Sequence, residues 1–406
     1  MADFEWIDGG VTAAKGFRAG GIASGIKASG KTDLALIYSE NPSAAAGVYT
    51  TNLVQAAPVT YNRHLLQQRG KACAIVVNSG NANAATGKAG EEAAIETAQV
   101  FARALGFSAD QVLVASTGVI GVPLPIEKIR TAAQALVDAA TETGSDAAAE
   151  AILTTDLVTK SCAVRATIGG KTVHVGGIAK GSGMIHPQMA TLLAFITSDC
   201  SVDIDLWRQI VARAADRSFN QITVDGDTST NDMLLALASG EAKNPRLLDA
   251  ASPEAALLEQ MVSAVCVDLA KKVVRDGEGA TKLIEVQVAG TDNDAQARKI
   301  ALTVASSSLV KSAMFGNDPN WGRLAAAAGR AGIAFDPVAL AVRLGTFTLM
   351  EAGQPLAFDR AAASDYLKSS DTVEVHLQVG PGPSLGTAWG CDLTYDYVKI
   401  NAEYTT

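Results

Sequence analysis

The chain has 406 residues, 48% apolar and 18% charged, enough for two or three domains and too apolar for a disordered chain. Lys and Arg number 33 against 42 Asp and Glu, a net charge of −9 that argues against nucleic-acid binding, which needs a basic footprint. Five scattered cysteines without a C-x-x-C pair predict reduced thiols, and four histidines without ligand spacing predict no metal site. The opening residues, MADFEWIDGG, carry no signal-peptide pattern, and no run of 18 apolar residues occurs, so a cytoplasmic protein without a membrane partner is expected.

In chain order, the first feature is Gly25 to Thr32 (GIKASGKT), which satisfies the G-x-x-x-x-G-K-[ST] phosphate-loop pattern and would place Lys31 on a nucleotide. That chemistry requires a buried strand before the loop and a helix after it. Here no apolar run precedes the loop, and Asp33–Tyr38 (DLALIY) reads as a strand, so a glycine turn is the better reading. Ala74–Asn78 (AIVVN) reads as a fully buried strand. Glu91–Leu105 reads as a helix with Ile95, Ala98, Phe101, Ala102 and Leu105 on one face and Gly106 as its stop. Leu206–Arg217 and Glu254–Val274 read as two more helices, and Asn244-Pro245 and Ser252-Pro253 as turns. Lys282–Val288 and Thr372–Val379 alternate apolar and polar residues, as half-exposed strands do, with a helix over Ala297–Met314 between them. The last 120 or so residues therefore read as an α/β subdomain.

The run Lys180 to Thr191 (KGSGMIHPQMAT) passes directly into Leu-Leu-Ala-Phe-Ile-Thr197. A glycine-rich loop closes onto a buried strand, which sets the side chain at the junction on the floor of a cleft. By position alone, Thr191 is an ordinary β-former. The whole run, however, resembles the K-G-S-G-M-I-x-P-N-M-A-T pattern of the glutamate N-acetyltransferase/ornithine acetyltransferase family, with Gln188 where that family usually has Asn. Further blocks resemble the family in its order: Val77 to Ala84 (VNSGNANA), Ser116 to Ile120 (STGVI), Thr154 to Asp156 (TTD), Thr223 to Asp232 (TVDGDTSTND), Asp276 to Lys282 (DGEGATK), Asn317 to Arg323 (NDPNWGR) and Tyr397 to Tyr404 (YVKINAEY).

The resemblance implies an α/β fold of layered sheets and helices, similar to the N-terminal-nucleophile aminopeptidases, with a C-terminal α/β subdomain. It implies transfer of an acetyl group from N-acetylornithine to glutamate in arginine biosynthesis, with acetyl-CoA as a further possible donor and no resident cofactor. Self-cleavage between Ala190 and Thr191 would give a chain of residues 1–190 and one of 191–406, the latter made of core residues 191–281 and the subdomain 282–406. Two copies of each are implied.

Breaking an amide needs a nucleophile, a base and an oxyanion site. A freed α-amine has an ordinary pKa of about 7.7–8.0 and lies beside the Thr191 hydroxyl whose proton it would take. The resemblance assigns the oxyanion site to the Thr117 hydroxyl and the Gly118 N–H, each such donor being worth about 3–4 kcal/mol of barrier. It assigns substrate binding to Thr154, Lys180, Thr191, Glu278, Asn401 and Thr406. Thr155 is an adjacent alternative to Thr154, because Leu157-Val158-Thr159 departs from the family's usual Thr-x-Pro. A water-accepting aminopeptidase or amidase of the same fold group is the competing enzyme reading.

Overall fold

The computed structural model describes residues 3–186 and 192–403. Two mixed sheets, each covered by helices, make up the described chain, which is the expected α/β class.

The larger sheet runs Glu5–Ile7, Lys160–Ile168, Lys171–Lys180, Leu193–Ser198, Met233–Ala238, Leu34–Tyr49, Lys71–Asn81 and Val112–Val119, with Phe17–Ile22 also paired to Leu34–Tyr49. Its central strands are buried on both faces. In Leu193–Ser198, Ala194 and Ile196 pack with Trp207, Val262 and Leu269 from the helices Ile204–Asp216 and Pro253–Arg275. Leu193 and Phe195 face the opposite core with Ile178, Leu235 and Ala148. This period-two division between two cores explains why both faces of the strand are apolar from Leu193 to Ile196. A third layer, the helices Gly87–Leu105 and Ile126–Ala139, packs Ala98, Phe101 and Ile129 on Leu36, Val76 and Val114.

The second sheet contains Leu283–Thr291 and Thr372–Gln378 as a parallel pair and Ser384–Cys391 antiparallel to the first. Its helix-covered face has its own core, in which Val286, Val288 and Val375 meet Ile300, Val304 and Leu367. The short strand Ile222–Thr223 pairs with Ser384–Cys391, so a segment from before residue 282 completes this sheet.

Several expectations meet a correction. The helix expected over 297–314 is two, Asp294–Ala305 and Ser308–Phe315. Ser306 ends the first, and the Ser307 hydroxyl caps the second by accepting from the Val310 N–H. In Gly87–Leu105, Ala98, Phe101 and Ala102 are buried as expected, and Gly106 ends the helix at φ 74°, but Ile95 is 45% exposed. Gly25 to Thr32 lies between the antiparallel strands Phe17–Ile22 and Leu34–Tyr49. A strand follows it where a phosphate loop requires a helix, so the Lys31 nucleotide reading is set aside. All five cysteines are free and buried, and no candidate metal cluster occurs among the described residues. No described helix is long and apolar enough to cross a membrane.

Candidate active site

Strand ends and loops from four parts of the chain converge where Leu193–Ser198 begins. Lys180, the last residue of its strand, stands opposite Leu193 in antiparallel register, and Met233 stands opposite Leu193 in parallel register. Three of the expected site positions, Ala190, Thr191 and Thr406, lie outside the described residues.

Among the described candidates, Thr117, Thr154 and Lys180 come together. Lys180 is 2% exposed, and its Nζ donates to Thr154 Oγ1 at 2.7 Å and reaches Thr117 Oγ1 at 3.5 Å. Thr154, rather than its neighbour Thr155, is therefore the threonine aimed at the lysine. Because Thr117 Oγ1 accepts from Lys180, its own hydrogen is left to donate elsewhere, as an oxyanion donor must. Gly118 follows at φ 135°, where a Cβ would lie 2.3 Å from the Gly80 carbonyl carbon, so only glycine fits.

Neutral amides hold this turn. Asn231 Nδ2 donates to the Ala82 and Ser116 carbonyls at 2.6 and 2.8 Å. Ser116 Oγ donates to Asn78 Oδ1 at 2.6 Å, and Asn78 Nδ2 to the Asn81 carbonyl at 2.8 Å. The Asn-rich blocks of the sequence thus brace the Thr117-Gly118 turn.

A buried ion-pair chain holds the lysine side. Asp156 lies 3.6 Å from Lys180 and accepts the Lys160 ammonium at 2.7 Å, and Lys160 also donates to Asp276 at 2.6 Å. Burial alone would raise the Asp156 pKa, but the Lys180 and Lys160 charges outweigh it and hold the carboxyl well below its usual range. Glu278 and the exposed Asn401 meet each other, with Asn401 Nδ2 donating to Glu278 Oε2 at 2.8 Å.

Sequence reasoning gave no role to Asp156, Lys160, Asp276 or Asp232. Asp232 is 1% exposed and accepts the Leu192 N–H at 2.9 Å, and burial raises its pKa well above the usual value. Asp156, Asp232 and Asp276 stand inside the family-like blocks, which was the available signal. Lys160 stands outside them.

A buried lysine against two threonine hydroxyls beside a glycine-only turn, in a mixed α/β fold, fits the class of acyl-transferring enzymes. Residues 18–406 match the model of the ArgJ family, and the chain belongs to that family. It is 95% identical over 406 residues to the arginine biosynthesis bifunctional protein ArgJ of Gloeobacter violaceus, covering 100% of both chains. The protein of the same name from Thermosynechococcus vestitus is 57% identical over 422 residues, again with 100% of both covered. The crystal structure of arginine biosynthesis bifunctional protein argJ from Bacillus halodurans matches with a TM-score of 0.51 and 42% identity, covering 52% of this chain and 98% of that one.

Proposed function

We propose that this enzyme of arginine biosynthesis moves the acetyl group of N-acetylornithine to glutamate through an ester on Thr191. The Thr191 hydroxyl attacks the acetyl carbonyl, ornithine leaves as the amine, and the glutamate amine then takes the acetyl group from the ester. The Thr117 hydroxyl and Gly118 N–H stabilise the oxyanion of both steps. Thr154, Lys180, Glu278, Asn401 and Thr406 hold the substrates, with Lys180 facing a carboxylate and Glu278 an ammonium. The observation that carries this reading is the convergence of Thr117, Thr154 and Lys180 at the end of the sheet where Leu193–Ser198 begins.

The nucleophile's free amine arises by self-cleavage between Ala190 and Thr191, giving chains 1–190 and 191–406, two copies of each in the assembly. The Bacillus halodurans match supports the cut, though not the copy number: 98% of that solved chain corresponds to only 52% of the present one. The word bifunctional in the relatives' names supports acetyl-CoA as a second donor.

The test is an acetyl-transfer assay with N-acetylornithine and glutamate on the wild type, Thr191→Ala and Thr191→Ser. Transfer by the wild type, none by alanine and a residual rate for serine are expected. An uncut, fully active Thr191→Ala protein would overturn the reading.

A further inference from the structure

Lys160 is the first residue of its strand, and its side chain has no exposure. Its Nζ bonds Asp156 at 2.7 Å, Asp276 at 2.6 Å and the Val158 carbonyl at 3.2 Å. Both carboxylate partners lead to substrate-facing positions. Asp156 accepts the Gly181 N–H at 2.7 Å and the Thr154 N–H at 3.1 Å, which sets the backbone beside Lys180 and that of Thr154 itself. Asp276 accepts the Leu157 N–H at 3.0 Å, and its carbonyl accepts the Ser182 hydroxyl at 2.7 Å. The Ser182 carbonyl in turn accepts the Glu278 N–H at 3.0 Å.

We propose that Lys160 is a positioning residue for acetyl transfer: its buried ammonium ties Asp156 to Asp276 and so fixes Thr154, Lys180 and Glu278 relative to one another. This inference rests on the functional reading above. Two carboxylates and two ammoniums balance along the chain Lys180–Asp156–Lys160–Asp276, so each buried charge has a compensating neighbour. Without Lys160, two carboxylates share one cation, and Lys180 is drawn toward Asp156 and away from Thr117 and Thr154.

The experiment measures kcat, KM for both amino-acid substrates and Tm for Lys160→Met and for Lys160→Met with Asp276→Asn. The double variant restores charge balance, and its amide oxygen can still accept the Leu157 N–H. Lys160→Met is expected to lower kcat/KM about 10²-fold, the effect of a small misplacement of binding groups, and to lower Tm. The double variant is expected to recover much of the Tm but not the kcat/KM. Recovery of both together, or unchanged kinetics in Lys160→Met, would overturn the proposal. If Lys160→Met does not accumulate, the kinetics of the double variant decide: a wild-type kcat/KM there overturns the proposal, and a lowered one supports it. Absence of acetyl transfer by the wild type would instead sink the functional reading itself.

Discussion

The two sides of the candidate site are built from different materials. The Thr117-Gly118 turn is held by neutral amides and a hydroxyl, Asn78, Asn231 and Ser116, whose bonds run to backbone carbonyls and to one another. The Lys180 side is held by alternating charges, all buried. On the proposed function, the difference follows from what each side faces. A transient oxyanion is best met by fixed dipoles, which need no counter-charge when the site is empty. A substrate carboxylate calls for a permanent cation, and a buried cation persists only when paired.

The contrast breaks most sharply at Gly118. Gly118→Ala forces a Cβ into the Gly80 backbone and should lower kcat about 10²–10³-fold, read by the transfer assay. Lys180→Ala attacks the other side. It leaves Asp156 short of one partner and should cost about 3–5 kcal/mol in denaturant unfolding as well as raising KM. Asn401→Ala, at an exposed position, should raise KM a few-fold and leave kcat and Tm nearly unchanged, because exposed polar contacts contribute about 1 kcal/mol or less. Lys31→Ala should change neither activity nor stability, since that residue lies in an exposed loop between two strands.

Much of the fold was legible because burial imposes a period. The strands at Ala74–Asn78 and Thr372–Val379 were found for that reason. The break at Ser306-Ser307 escaped because the apolar period runs on through it, although a run of three serines is a capping signal. Of the candidate positions, Thr117, Gly118 and Lys180 lie in blocks of local sequence. The ion-pair chain is not local in sequence, because Lys160 and Asp276 are 116 residues apart and meet only in the fold. A buried lysine at a strand start looks in sequence like any surface lysine.

A threonine nucleophile made by self-cleavage leaves its mark on chain mass and on a new N-terminus. Intact mass measurement of the denatured wild type, with N-terminal sequencing of each chain, tests it most directly. Two chains are expected, the second beginning Thr-Leu-Leu-Ala from Thr191. A single uncut chain that transfers acetyl at full rate would contradict it.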